Sequence, residues 1–258
     1  MLISLITVCR NSAVSLRDAF ESVLRQTHTE VDYIVVDGAS TDATPDLVAE
    51  YAPRFGGRMR YLSEPDGGLY YAMNKGLAMA RGEVVGILNA DDFFTSPTVL
   101  ERVAVEFAEA DTDAVYGDVH FVRDGELGRS VRHYSSRYFR PWMLHCGFMP
   151  AHPSFYCRRE IYGRYGGFDT WFKVSADYEL MVRLFLMHGI RARYVPMDFV
   201  TMRIGGASTS GLTSLRAVFH DKYHSLRRNG FHASVLLLCT SYVPKLWGVL
   251  RTRFSCGR

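Results

Sequence analysis

Residues 84–92 read Val84-Val85-Gly86-Ile87-Leu88-Asn89-Ala90-Asp91-Asp92, an apolar run that ends in an amide and two carboxylates. The short apolar run Val84–Leu88 predicts a buried strand. Asp91 and Asp92 follow it, and adjacent carboxylates repel each other unless a cation neutralises them. Magnesium takes one or two carboxylates together with phosphate oxygens. The pattern therefore favours a metal site at the end of a strand, with a turn that caps the next helix as the alternative.

Strand-like runs alternate with segments of helical periodicity on both sides of this stretch. The other predicted strands are Leu2–Val8, Tyr33–Val36, Arg60–Leu62 and Ala114–Tyr116. The predicted helices are Ser15–Gln26, with Ser15 as its cap, Thr44–Tyr51, Leu69–Ala80 and a segment from Ser96-Pro97 to about Ala108. This alternation predicts an α/β fold with a doubly wound, mostly parallel sheet. Ligands of such sheets bind at the carboxyl ends of the strands, where the polar clusters of this sequence fall.

The pattern changes after Tyr116. A hairpin is predicted from Val119–Val122 and Ser130–His133, joined by Asp124-Gly125, and helices are predicted over Asp177–His188 and Leu212–Arg228. We therefore expect three parts. Residues 1–116 would be the half that binds a ligand at the carboxyl ends of the strands, 117–210 a second half, and 211–258 a set of C-terminal helices.

Composition limits the classes of protein to consider. The chain has 258 residues, of which 48% are hydrophobic and 22% charged, and its formal net charge of +3 is too small to imply nucleic acid. Its five cysteines are scattered, without metal-type spacing, and their odd number argues against a disulfide framework. We see no signal peptide and no segment apolar enough to span a bilayer. The expected location is the cytoplasm.

Four further positions have a functional and a structural interpretation. Asp37, in the turn Asp37–Asp42, can accept hydrogen bonds from a base or ribose, or cap a helix. Asp177 can act as a general base, or complement the dipole of the helix that it begins. His152 is a lone histidine, which is more often structural than catalytic. Arg203, before the turn Gly205–Ser208, can hold a diphosphate or lie on the surface.

The C-terminal segment suggests a partner. Its apolar residues Val235–Leu238, Tyr242, Leu246, Trp247 and Leu250 accompany the cationic Lys245, Arg251 and Arg253. Such a helix can lie on anionic lipid at the inner face of the membrane. It can equally pack on the protein core or in a homodimer.

Together these motifs resemble the family 2 glycosyltransferases of the GT-A fold, in the expected order over roughly residues 2–210. The opening Ser4–Asn11 is similar to the family's first strand and nucleotide loop, and Asp37–Asp42 to its "DGxSxD" turn. The segment Glu64–Gly76 resembles a subgroup of bacterial polysaccharide transferases. Asn89–Asp92 occupies the family's DXD position. Gly166–Asp169 and Ala176–Tyr178 are similar to the acceptor-side signature.

This resemblance implies roles for individual residues. Asp177 would be the catalytic base, with His152 and Tyr178 on the acceptor side, and Asp91 and Asp92 would hold Mn²⁺ or Mg²⁺. The implied donor-binding residues are Thr7, Val8, Arg10, Asp37, Asn74, Lys75, Asn89, Asp91 and Arg203. The sequence departs from the family pattern at two places. Asn89 replaces the first DXD carboxylate, which would weaken metal binding, and Ala176 stands where many relatives carry Glu.

The activity so implied is inverting transfer of a sugar from a nucleotide diphosphate sugar, with UDP preferred, to a hydroxyl. The acceptor would be a polysaccharide precursor or a glycan on a lipid carrier. The alternative is a non-catalytic sugar-nucleotide-binding or scaffold protein with a degenerate GT-A site. Nucleotidyltransferases and dinucleotide oxidoreductases are disfavoured, because Cys9-Arg10-Asn11-Ser12 lacks the glycine-rich loop that either would carry after the first strand.

Overall fold

A computed structural model describes residues 1–109, 111–205 and 211–242. The predicted turn residues Gly206–Ser208 and the tail residues Lys245, Leu246, Trp247, Leu250, Arg251 and Arg253 lie outside the described residues. No helix in the described part of the chain has the length and apolar character needed to cross a bilayer.

The described strands form one mixed sheet. They are β1 (Ile3–Cys9), β2 (Val31–Asp37), β3 (Met59–Ser63), β4 (Val84–Ile87), β5 (Phe93–Phe94), β6 (Ala114–Arg123), β7 (Glu126–Tyr134), β8 (Phe155–Arg158) and β9 (Ala192–Arg203). Their order is β3-β2-β1-β4-β8-β6-β9-β5, with β7 paired to β6. Strands β1 to β4 pair in parallel, as the alternation predicted, and β6 pairs in parallel with β9. Strand β8 runs antiparallel to both of its neighbours.

Helices cover both faces of the sheet. They are α1 (Leu16–Leu24), α2 (Thr44–Tyr51), α3 (Leu69–Met79), α4 (Val99–Glu109), α5 (Arg159–Tyr165), α6 (Ala176–Met181), α7 (Gly211–Arg228) and α8 (Val235–Cys239). All seven residues of β1 are buried, since alternate side chains enter separate cores. Helices α1, α2 and α4 pack on one face, and α3, α5, α6 and α7 contribute to the core on the other.

Several sequence-based boundaries need correction. Helix α1 begins after Ser15, but the Ser15 side chain makes no capping hydrogen bond. The helix predicted over Asp177–His188 begins at Ala176 and continues from Val182 to Met187 with π-helical hydrogen bonding. The two segments predicted around Gly117 are one strand, β6. A Cβ atom on Gly117 would lie 2.6 Å from the carbonyl oxygen of Met197, so glycine lets β9 approach closely.

Candidate active site

Asp37 organises the turn at the end of β2. Its side chain is fully buried and accepts hydrogen bonds from the Ser63 hydroxyl at 2.7 Å and the Tyr61 hydroxyl at 2.9 Å, and from the backbone and hydroxyl of Ser40. Burial acts to raise the pKa of Asp37, but the hydrogen bonds from Ser40, Ser63 and Tyr61 outweigh it and leave the pKa below its ordinary value. The sequence reasoning missed Tyr61 and Ser63, whose signal is their place at the end of the strand beside β2.

The turns after β1 and β2 are joined, as the parallel sheet predicted. The Asn11 backbone amide donates to the Ser40 hydroxyl at 2.7 Å, and the Asn11 side chain accepts from the Thr41 amide at 2.9 Å. Asn11 and Ala39 adopt the left-handed backbone conformation, with φ of 52° and 54°, whereas Gly38 does not have a positive φ. Gly38 instead gives room, since a Cβ there would lie 3.0 Å from the Asp66 carboxylate.

Three predicted donor-binding residues of β1 and its loop differ in accessibility. Thr7 is fully buried, with its hydroxyl 3.0 Å from that of Tyr33, and Val8 is buried as well. Arg10 is exposed, and its guanidinium forms no hydrogen bond or ion pair with any described residue. Of these three side chains, only that of Arg10 is accessible to a ligand.

The two carboxylates after β4 have different environments. Asp92 is buried and accepts a hydrogen bond from the Asn89 amide at 2.9 Å, whereas Asp91 is half-buried. Burial, followed by the neighbouring charge of Asp91, raises the pKa of Asp92. A bound cation would remove this penalty, so the pair fits the hard divalent metal that the sequence predicted.

Arg203, at the end of β9, reaches this loop. Its guanidinium donates to the Asp91 carbonyl at 2.6 Å, forms an ion pair with Asp124 at 3.0 Å and a second one with Asp18, and lies over the ring of Phe93. Only 10% of its side chain is exposed. Arg203 is thus next to the loop of Asp91 and Asp92, and its charge is already shared between two carboxylates.

Asp177 lies in the first turn of α6 and is half-buried. One of its carboxylate oxygens accepts the Tyr178 amide at 2.8 Å, and the Tyr70 hydroxyl, which donates to the Val174 carbonyl at 2.7 Å, lies 3.4 Å from the same atom. None of the described Lys or Arg residues forms an ion pair with it.

His152 and Phe168 complete the surroundings of Asp177. The His152 ring is buried and meets the Phe168 ring edge-on at 5.4 Å, and Phe168 stacks on Tyr70. Burial lowers the pKa of His152, against the attraction of Asp177, so the imidazole is neutral near pH 7.

Three other predicted site residues have internal partners. Asn74 uses both ends of its amide, donating to the Phe168 carbonyl at 2.8 Å and accepting from the Phe168 amide at 2.9 Å. The Lys75 ammonium contacts Glu64 at 2.9 Å and donates to the Pro65 carbonyl at 3.0 Å. Tyr178 is buried, and its hydroxyl donates to the Leu144 carbonyl. In this structure these side chains hold α3 and α6 against neighbouring segments.

Sequence comparison places these elements in a known family. Residues 4–166 match the model of the family described as Glycosyl transferase family 2. A "PGL/p-HBAD biosynthesis glycosyltransferase" of Mycobacterium bovis (strain BCG / Pasteur 1173P2) is 31% identical over 195 residues, which are 75% of this chain and 73% of the relative. An uncharacterized glycosyltransferase of Mycobacterium tuberculosis (strain ATCC 25618 / H37Rv) is 30% identical over 232 residues, covering 88% of this chain and 82% of the relative.

Solved structures share the fold. Staphylococcus aureus TarS residues 1–349 in complex with UDP-GlcNAc superimposes with a TM-score of 0.71 at 18% identity, over 93% of this chain and 71% of that one. The mannosyltransferase PcManGT of Pyrobaculum calidifontis, in complex with GDP-Man and Mn²⁺, gives 0.66 at 19% identity, over 99% and 76%. Against a longer TarS structure this chain spans 41% of the length. The predicted GT-A-type fold is confirmed.

Proposed function

Because the chain belongs to glycosyl transferase family 2, we propose that it moves a sugar from a nucleotide diphosphate sugar to an acceptor hydroxyl with inversion at the anomeric carbon. The observation that carries this proposal is the buried Asp92 beside Asp91, since such a pair is unfavourable without a cation. In a scaffold protein with a degenerate site, no cation would offset the cost of this pair.

Asp91 and Asp92 would hold Mn²⁺ or Mg²⁺. When bound, the metal supplies positive charge that stabilises the diphosphate as it leaves. PcManGT, which shares the fold, was solved with Mn²⁺. Asn89 bonds to Asp92 rather than adding a charge, which supports a weaker affinity than a three-carboxylate loop would have.

Asp177 is the proposed general base. It accepts the proton of the acceptor hydroxyl while that oxygen bonds to the anomeric carbon and the bond from this carbon to the diphosphate oxygen breaks. Its half-buried carboxylate forms no ion pair with a described Lys or Arg, so none of those side chains neutralises it. His152 and Tyr178 then shape the acceptor side, His152 through its ring and Tyr178 through the backbone that it holds.

The nucleoside would lie across the turns after β1 and β2. Arg10 is the exposed cation there. The buried Asp37, whose carboxylate already accepts from Ser40, Tyr61 and Ser63, would keep the turn in place. Thr7, Val8, Asn74 and Lys75 would act through the backbone that they support, and Arg203 through the loop of Asp91. UDP is the favoured nucleotide of the donor sugar, since TarS was solved with UDP and with UDP-GlcNAc.

The proposed acceptor is a polysaccharide precursor or a lipid-linked glycan. Val235, Leu236 and Leu237 of α8 expose 54%, 82% and 44% of their surface, which supports contact with a membrane at its cytoplasmic face. A homodimer contact would also cover them. In this proposal, residues 1–116 bind the donor, 117–210 hold the acceptor and base, and 211–258 face the membrane or a partner.

A thermal-shift panel of UDP, GDP, dTDP and CMP, each with and without Mn²⁺, tests the donor site. A ligand that binds only the folded state raises the melting temperature by mass action. We expect a Mn²⁺-dependent rise with UDP, which Asp92→Asn abolishes. If another nucleotide raised the melting temperature instead, that nucleotide and not UDP would belong to the donor sugar. No rise with any nucleotide, together with no measurable hydrolysis of UDP-sugars, would favour the scaffold alternative.

A further inference from the structure

Three strands bring two carboxylates and an imidazole together away from the Asp91–Asp92 loop. They are Asp118 of β6, His133 of β7 and Asp198 of β9, and one ligand atom from each lies within 4.8 Å of the others. His133 Nε2 is 2.7 Å from Asp198 Oδ1 and 3.7 Å from Asp118 Oδ2. Strand pairing brings the three onto one side of the sheet. Asp118 of β6 pairs with Asp198, and His120, two residues further along β6 and on the same side, pairs with His133.

The charges in this cluster do not balance. Asp118 is nearly buried, with 9% of its side chain exposed, and Asp198 is one-third exposed. Neither carboxylate forms an ion pair with a Lys or Arg among the described residues, and the cationic candidates are His133 and His120, which lies 3.4 Å from Asp198. The two close carboxylates therefore have no permanent counter-charge from a described Lys or Arg side chain.

The carboxylates are held in place by surrounding polar groups. Asp118 accepts hydrogen bonds from the Tyr194 hydroxyl at 2.8 Å, the Ser135 hydroxyl at 3.0 Å and the Ser136 amide at 2.7 Å. His120 contacts Asp198 through Nδ1, and its Nε2 is 3.0 Å from the Thr201 hydroxyl. Outer contacts of this kind orient the ligands of protein metal sites.

We propose that Asp118, His133 and Asp198 bind a zinc ion, with one imidazole nitrogen and two carboxylate oxygens as protein ligands and water completing the coordination. Imidazole suits zinc and other first-row transition metals, whereas the all-oxygen Asp91–Asp92 pair suits magnesium or manganese. His133 would coordinate as the neutral imidazole through Nε2, with its one proton on Nδ1. The ion would join β7 to β9 through His133 and Asp198, and Asp118 of β6 would hold the segment that begins at Ser135. This site is independent of the proposed transfer reaction.

Calorimetric titration with Zn²⁺ alone, without nucleotide, tests the site in the full-length chain. We expect about one zinc per chain. His133→Ala and Asp198→Asn, both at partly exposed positions, should weaken binding at least tenfold. Tyr194→Phe, which removes one hydroxyl from Asp118, should weaken it roughly 10- to 100-fold. Glu160→Gln, at an exposed carboxylate in the first turn of α5, is the control and should leave zinc binding unchanged.

A second pair of histidines, on α7, is the alternative zinc site that the experiment must distinguish from the proposed one. His220 and His224 of α7 have ring centroids 4.2 Å apart. If zinc binding is lost in His220→Ala/His224→Ala but kept in His133→Ala, the proposed site is wrong. Absence of zinc binding in the unchanged protein would overturn it equally. A zinc-dependent rise in melting temperature that His133→Ala removes would support it, because that variant must fold for its own melting to be measured.

Discussion

At the scale of single residues, three aspartates of this chain have different chemistry because their surroundings differ. Asp37 is buried but receives several hydrogen bonds, so it stays ionised. Asp92 is buried, with a hydrogen bond from Asn89 and a like charge beside it, so its ionised form is disfavoured without a cation. Asp177 is half-buried and forms no ion pair with a Lys or Arg of the described residues, so none of them neutralises its carboxylate. The sequence identifies all three as candidates, and their neighbours assign the roles that we propose.

Asp177→Asn tests the proposed base. The amide keeps the shape of the side chain but cannot accept a proton, so transfer should fall roughly 100- to 10,000-fold. Donor affinity, measured by titration with the UDP-sugar, should stay the same. Glu160→Gln is the control, because Glu160 is an exposed carboxylate in the first turn of α5. A parallel loss of donor affinity in Asp177→Asn would count against the assignment.

At the scale of elements, β1 to β4 and the hairpin of β6 and β7 were predictable, whereas β8 and β9 were not. β1, β2 and β4 are short, fully buried apolar runs, and each ends at a polar cluster. β9 contains Pro196 and alternates between buried and exposed positions without a regular period, so it gave no clear signal. β8 is only four residues long. Its antiparallel insertion between β4 and β6 depends on contacts far apart in the chain.

Gly117→Ala tests the close approach of β6 and β9. The new Cβ would lie 2.6 Å from a backbone oxygen of Met197, which cannot rotate away as a side chain can. We expect the free energy of unfolding to fall by about 1–3 kcal/mol, as overpacking usually costs. Gly128→Ala on β7 is the control, since nothing lies within 4 Å of its added Cβ. Equal urea midpoints for the two variants would show that the strands can separate without cost.

At the scale of the whole molecule, the exposed leucines of α8 predict attachment to anionic membranes. In flotation with phosphatidylglycerol vesicles we expect the protein to bind, and Leu236→Glu/Leu237→Glu to weaken binding tenfold or more, because each buried leucine contributes roughly 1.5–3 kcal/mol. Val14→Glu is the control, at a position that is 98% exposed. No flotation of the unchanged protein would contradict the membrane contact. Dissociation of a dimer by the double variant would assign α8 to a subunit interface.

The sequence by itself determined the family, the parallel half of the sheet and the carboxylates at its edge, because these depend on local periodicity and on motifs in a fixed order. Only the tertiary structure decided which of the candidate site residues have polar groups that are not already bonded within the protein. Asn74, Lys75 and Tyr178 prove to be bonded to backbone groups that are distant or separated by a loop. It also brought together Asp118, His133 and Asp198, which no spacing in the sequence connects. Hydrogen bonds and burial depend on strand pairing over long separations, and a linear pattern does not encode those contacts one by one.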